Sequence, residues 1–587
     1  MKTQLTLILA LLLSLYVGCT GAAAEKADGV PAAASVPGTP FRVSRNVSSL
    51  LDTYCFSCHN EETRKGEPMK VETNRVAEIT VEAAREHADP FLAVNLDVEF
   101  TDPAGAKKLV PGFWAGGRKW KVRYASPLVG VHRWRSLSNV ADDAGLHGLA
   151  GSVEVTGSTL ANPLFRHGPL RVAENRRHFE HADGTPFLWL GDTWWKCLCK
   201  RMTWEGFQEL TADRKAKGFN VVQIVCGPYP DEEMMEARWE NEGGKPYEKK
   251  DFTVMNPAYF DHADRRLLHL MEQGIVPVIV GGWGRPQGGG QPTIVQVGLD
   301  GYKRHWRHLV ARYGAYPVAW ILGGEASDHN GPWAELAKYL HDIDSFRRLL
   351  VYHAPEHPRE AIRKHNELFD FDMVGIGHEG MATAGKTLEL IQSCLAQTPE
   401  RPALCGEACY EGHMQTNFQD IQRHMFWSFM LSGAAGHTYG AAGIWHASVE
   451  GDCGHTGISG HPYDYTTWKE GMSFPGATQV GLGKKLLEKY PWRRFEPHPE
   501  WVSKGQFAAG IPGEIAFVYL PRRRIYDWSG FTVKGLTAGA SYTAFFFDPA
   551  TGRRFDQGKF TTADGAWRPE HVPSPQDWVL VVEKLKP

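Results

Sequence analysis

From about residue 165 to 495, short continuous apolar runs alternate with longer stretches whose apolar residues recur at helical spacing. Eight of the runs read as strands: Phe187–Gly191, Val221–Cys226, Val276–Gly281, Val318–Leu322, Leu349–Tyr352, Met373–Ile376, Ala403–Cys405 and Ala435–Tyr439. Helical periodicity between them predicts helices over Trp204–Lys217, His262–Gln273, Tyr302–Tyr313, Trp333–Arg348, Thr387–Gln397 and Phe418–Leu431. Eight β/α units of this length predict a closed (β/α)8 TIM barrel rather than an open sheet.

The pattern changes on either side of the barrel. Between residues 73 and 160 apolar and polar positions alternate in Leu92–Phe100, Trp120–Tyr124 and Gly151–Val155, with Gly and Pro between the runs, which predicts a β-sandwich. The tail, 496–587, alternates in the same way through Glu514–Leu520, Tyr542–Pro549 and Trp578–Val582, and predicts a small antiparallel sandwich packed on the barrel. The expected fold class is multidomain, with a central TIM barrel flanked by N-terminal and C-terminal β-sandwich domains.

Two barrel strands end alike. Trp320-Ile321-Leu322 runs into Gly323-Gly324-Glu325, and Ala403-Leu404-Cys405 runs into Gly406-Glu407. The C-terminal ends of barrel strands face one shared pocket, so Glu325 and Glu407 are placed to flank a single glycosidic bond as the carboxylate pair of a sugar-cleaving enzyme. An acid at a strand end can also cap a helix or pair with arginine, and the matching barrel positions favour catalysis. Asp192, Trp194 and Trp195 after the first strand, Gln223, Trp283, His353, His378, Tyr439 and Trp445 stand where strand ends open, and are candidates for substrate contact. Each has a structural alternative, a side chain that holds a loop rather than a sugar.

Composition narrows the partners. The chain has 587 residues, 42% hydrophobic and 22% charged, too many for one core, and its formal net charge of −3 supplies no basic field for nucleic acid. Its 20 tryptophans and 19 tyrosines suit an oligosaccharide or polysaccharide, although core filling explains most of them. Cys197-Leu198-Cys199 and the Cys405, Cys409 pair lack the histidines a zinc site needs, and HExxH is absent. Oligomeric state is not legible.

Residues 1–24 form an export signal: Met1-Lys2, an apolar run from Leu5 to Val17, and small residues through Ala22-Ala23-Ala24. The protein is expected in the periplasm, on the outer membrane as a lipoprotein, or outside the cell. Leu15-Tyr16-Val17-Gly18-Cys19 is similar to a lipoprotein box, so a lipid on Cys19 is the one membrane link expected, against ordinary cleavage nearby. Cys55-Phe56-Ser57-Cys58-His59 is a CxxCH haem-attachment signature. Its surroundings, residues 40–72, resemble the start of planctomycete-type secreted cytochrome c domains but are truncated, with Met69 too close in sequence to reach the far face of a haem. The alternatives are a c-type haem on Cys55, Cys58 and His59, or a vestigial segment with a disulfide or free thiols.

The run from His178 to Trp195, with Gly184-Thr185-Pro186-Phe187-Leu188-Trp189-Leu190-Gly191-Asp192-Thr193-Trp194-Trp195 at its centre, resembles the opening of the apiosidase-like glycoside hydrolases. Lys215–Gln223, Gly323-Gly324-Glu325 and Gly406-Glu407 follow in the family's order. Asp89-Pro90-Phe91 and Val110–Trp114 resemble the immunoglobulin-like domain that precedes such barrels, and Pro491–Phe495 with Pro497–Trp501 resembles the join to a domain type named for collagen binding. The resemblance implies a catalytic barrel over 165–495, catalytic carboxylates at Glu325 and Glu407, and a branched plant or algal polysaccharide as substrate, with no cofactor needed for hydrolysis. Aspartate is more usual than glutamate at the Gly-Gly-acid position, so the resemblance leaves retaining and inverting outcomes both open. In a retaining enzyme Glu325 would be the general acid/base and Glu407 the nucleophile. The competing reading is a non-catalytic secreted protein that binds glycan or matrix, carrying the haem motif.

Overall fold

The computed structural model describes residues 69–284, 291–375, 377–407, 409–413, 416–453, 465–522 and 531–586. The export segment, Cys19 and the Cys55, Cys58, His59 motif lie outside these residues. Among the described residues no helix is long and apolar enough to cross a membrane.

The barrel strands are β1 (Trp189–Thr193), β2 (Val221–Val225), β3 (Val276–Val280), β4 (Ala319–Gly324), β5 (Leu350–His353), β6 (Asp372–Val374), β7 (Ala403–Cys405) and β8 (Gly436–Tyr439). They pair in parallel in the order β5-β4-β3-β2-β1-β8-β7-β6. Every residue of β1 to β4 is buried, which is why these strands read as largely apolar runs, broken only by Asp192, Thr193 and Gln223. Closure between β5 and β6 uses Asp370 rather than a strand ladder. Its N–H donates to the Leu350 carbonyl (2.9 Å), and its carboxylate accepts from the Leu350 N–H (2.7 Å). The first predicted strand divides: Pro186–Phe187 joins a small three-stranded sheet outside the barrel, and β1 begins at Trp189.

Helices cover the barrel. Trp204–Lys217 opens with Thr203, whose hydroxyl accepts from the Gly206 N–H, and closes on Gly218 in the left-handed region. Its buried residues include Phe207, Leu210 and Arg214. The helix expected over Trp333–Arg348 stops at Ile343, because Asp344 turns its carboxylate back to the N–H groups of Phe346 and Arg348 and to Trp320 Nε1.

The N-terminal domain is a sandwich whose first strand, Met69–Glu72, starts a few residues before the expected boundary and pairs in parallel with Ala150–Thr156. A five-stranded and a three-stranded sheet share one core that includes Val98, Phe100, Ile79, Val81, Trp120 and Val153. It rests on the barrel's helix layer. Arg123 donates to Asp264 (2.6 Å) and to the Arg312 carbonyl (2.7 Å), while Arg312 also holds Asp264 (2.7 Å).

The C-terminal tail differs from the expected sandwich. Its described strands form one six-stranded antiparallel sheet. Alternate residues Phe517, Tyr519, Phe545, Val579 and Val581 join the barrel core, whereas Val518, Leu580, Phe546 and Val582 are buried under Trp501, Phe531 and Val533. The barrel takes the place of a second sheet, and Arg423 pins the junction by a bidentate pair with Asp577 (2.8 Å each).

Candidate active site

A cavity of about 240 Å³ opens at the C-terminal ends of the strands, lined by Trp195, Pro230, Asp231, Trp283, Glu325, His353, Gly377, His378, Glu379, Glu407, Tyr410, His413 and Trp445. Glu325 and Glu407, 82 residues apart in sequence, share it.

The glycines before the two glutamates are required by close packing. A Cβ on Gly324 would lie 2.0 Å from the Trp283 ring, and one on Gly406 would lie 2.1 Å from Met373 Cγ. Backbone at β4 also bonds backbone beyond β3: Gly324 N–H donates to Gly282 O (3.0 Å) and Gly284 N–H to Gly324 O (2.6 Å). Glu325 then turns at φ 48°, a strained conformation for a residue with a side chain. Asn330 holds that turn, donating from Nδ2 to the Glu325 carbonyl (2.7 Å) while its Oδ1 accepts from Trp333 Nε1 (2.6 Å).

Glu407 sits between two histidines, with His353 Nε2 at 2.7 Å and His378 Nε2 at 3.6 Å. Burial pushes its carboxyl up, but the histidines outweigh burial and hold it well below the usual carboxylate range. Burial lowers His353 in turn, and the Glu407 carboxylate, with a smaller contribution from Glu325, raises it above the ordinary histidine value. Tyr410 stays a phenol, driven up by burial and by the neighbouring Glu407 carboxylate, and its oxygen accepts from Trp195 Nε1 (2.8 Å). Aromatic faces complete the wall. Trp195 and Trp283 lie 5.1 Å apart, Trp283 and His353 5.4 Å, and Tyr410 and Trp445 6.2 Å.

Of the residues expected to touch substrate, Trp195, Trp283, His353, His378 and Trp445 line this cavity, and Asp192, Trp194, Gln223 and Tyr439 do not. Asp192 is fully buried and already neutralised, pairing with Arg214 Nε (2.6 Å) and accepting from Trp194 Nε1 (2.8 Å), which accounts for both residues. Gln223 donates to the Gly406 carbonyl (2.9 Å) beneath Glu407. Tyr439 turns sideways, its hydroxyl donating to Glu411 (2.6 Å). All four bond within the barrel rather than lining this cavity. The cavity also gains Asp231, Tyr410 and His413, which the strand-end pattern missed. The run Glu407-Ala408-Cys409-Tyr410-Glu411-Gly412-His413 carries the signal for two of them, polar and aromatic residues crowded just after the seventh strand. No described residue of the N-terminal sandwich lines the cavity, so that domain braces the helices instead of walling the site. Cys197, Cys199, Cys405 and Cys409 are buried free thiols.

The architecture recurs in solved structures. A structure described as a glycoside hydrolase superposes with a TM-score of 0.58 at 20% identity, over 73% of this chain and 98% of that one. A glycoside hydrolase family 5 protein from Bacteroides vulgatus ATCC 8482 gives 0.57 at 20% identity, over 73% and 95%. An inferred glycoside hydrolase from the same organism gives 0.63 at 18%, over 88% and 100%. At these identities the likeness shows a common fold. A search of curated proteins gives no significant match. Residues 70–139 match a domain of unknown function (DUF5060), covering most of the N-terminal sandwich. Residues 173–494, the whole barrel with both glutamates, match the family described as apiosidase-like, catalytic domain. The chain belongs to the apiosidase-like family of glycoside hydrolases.

Proposed function

We propose that the protein is an exported hydrolase that cleaves O-glycosidic bonds in side chains of plant or algal polysaccharide, using Glu325 and Glu407 as its two carboxylates. The observation that carries this reading is the convergence of both glutamates on one aromatic-walled cavity, with Glu407 held ionised by His353.

The division of labour follows from the charges. Glu407 stays a carboxylate through the working pH range, so it acts as nucleophile or base and not as acid. In a retaining pathway it attacks the anomeric carbon, and in an inverting one it takes a proton from the attacking water. Glu325 donates its proton to the leaving oxygen in both pathways, and in the retaining one then draws a proton from the water that releases the sugar. Trp195, Trp283 and Trp445 offer ring faces to the sugar's C–H groups, and His378, His413 and Tyr410 offer polar atoms to its hydroxyls. Hydrolysis by this route needs no cofactor. The CxxCH segment is proposed as a separate element, and the leader with Cys19 as the export and anchoring signal.

Incubation of the purified chain with a panel of pectic and other plant oligosaccharides tests the reading. Release of sugar by the wild type, with the first-formed anomer read by ¹H NMR, would establish hydrolysis and assign its stereochemistry. Absence of release across the panel would count against the substrate class.

A further inference from the structure

Lys196 is fully buried, and so is its partner Glu232. A buried lysine is costly unless its ammonium is paired and bonded, so its contacts show what it is for. Its Nζ reaches Glu232 Oε1 (3.1 Å) in the loop after β2, reaches His446 Nε2 (3.0 Å) in the loop after β8, and lies 5.2 Å from the centre of the Trp445 ring. Both loops deliver a residue to the cavity from the position next to the lysine's partner: Asp231 precedes Glu232, and Trp445 precedes His446. The same carboxylate gathers Arg201 (3.5 Å) and Arg238 (3.3 Å), and Arg238 carries the network on to Asp452 (2.6 Å). Arg201 also donates to the His446 carbonyl (3.1 Å).

We infer that Lys196 is a positioning residue for the substrate site: one buried cation, fixed at the end of β1, clamps the β2 and β8 loops and holds the Trp445 ring in place as a wall of the cavity. The inference rests on the glycosidase reading for its consequence in catalysis, though the clamp itself is a property of the free protein. Lys196 does not line the cavity and does not touch Glu325 or Glu407 in any contact described. The ammonium also sits against the indole with the geometry of a cation–π contact, which favours one ring orientation over the others. Burial lowers the lysine's pKa below its ordinary value, with Arg201 adding to the fall and Glu232 and Asp231 opposing it.

Two variants separate positioning from simple stability. Lys196→Met leaves Glu232 facing two arginines without its lysine and is expected to lower Tm. Lys196→Met combined with Glu232→Gln removes both charges while the amide oxygen still accepts from Arg201 and Arg238, and is expected to recover part of that loss. In the double variant, KM for an oligosaccharide substrate is expected to rise about tenfold, with kcat changed less and the pH profile unmoved, because the wall and not the carboxylates has lost its support. A second measurement needs no substrate: ¹⁹F NMR of the full chain labelled with 5-fluorotryptophan, the Trp445 resonance assigned through Trp445→Phe. A shifted or broadened Trp445 resonance in the double variant, with Trp306 and Trp320 unchanged, supports the clamp. An unmoved Trp445 resonance overturns it, as does a KM that returns to the wild-type value whenever Tm does. Failure of the wild type to hydrolyse any substrate would count against the glycosidase reading while the NMR result still decides the clamp.

Discussion

Replacement of His353 by Gln tests whether a histidine sets the ionisation of Glu407. The contact is 2.7 Å between a buried histidine and a largely buried carboxylate, and the carboxylate raises the histidine's pKa above its ordinary value. An opposite charge at about 4 Å is worth about 4 kcal/mol at an effective dielectric constant of about 20, or about three pKa units at 1.36 kcal/mol each. His378, 3.6 Å away on the other carboxylate oxygen, remains and retains part of the effect. His353→Gln is therefore expected to raise the Glu407 pKa by about two units, bringing it up towards the ordinary carboxylate range. The assay is the pH dependence of kcat/KM, whose acid limb reports the free enzyme's essential carboxylate. The limb should move to higher pH by about two units in the variant, with far-UV circular dichroism unchanged. A limb that stays in place while activity falls at all pH values would refute the electrostatic role and leave His353 a steric one.

Three further outcomes follow from particular contacts. Gly324→Ala drives a methyl group into the Trp283 ring, which Trp195 and His353 confine, so kcat/KM should fall by about 10²-fold with a stability loss of about 1–3 kcal/mol in urea unfolding; normal activity would mean that Trp283 does not shape the site. Asp370 is raised to about 6 by burial, more than the Leu350 N–H and Arg401 lower it. Its folded state therefore binds protons more tightly than the unfolded one, and the Asp370 contribution to stability should fall by about 2 kcal/mol as pH climbs from about 4 to about 6, read in pH-dependent thermal melts as the change in the stability difference between wild type and Asp370→Asn, since buried histidines with lowered pKa add an opposite trend to both proteins. Asp264→Asn removes the carboxylate shared by two buried arginines between the sandwich and the barrel, although Arg123 keeps Glu78 and Arg312 keeps Asp261, and should cost about 1.5–3 kcal/mol by denaturant unfolding, whereas a change under about 0.5 kcal/mol would show that the junction relaxes freely.

The barrel was legible because its strands are buried on both faces. Short β-branched apolar runs such as Val276–Val280, set between amphipathic helices, read as buried strands. The glutamates were legible because small residues precede them, and the structure supplies the reason, tight approaches to Trp283 and Met373. Side-chain direction was harder to read. Asp192, Gln223 and Tyr439 occupy strand ends as expected, but partners distant in sequence, Arg214, Gly406 and Glu411, hold them within the barrel rather than in the cavity lining. The C-terminal tail misled for a related reason: alternation reports that each face is covered, and does not say whether a sheet, a barrel or a loop covers it. Lys196 gave no signal at all, since a lysine two tryptophans past a strand reads as surface until Glu232 and His446 are brought to it.

The central claim is that Glu407 is one of the two carboxylates that perform the cleavage. Glu407→Gln keeps the shape and removes the charge, and the measurement is sugar release from the plant oligosaccharide panel by variant and wild type at equal concentration. The account predicts that kcat falls by more than about 10³-fold while the folded state persists. Release by the variant at the wild-type rate would contradict it.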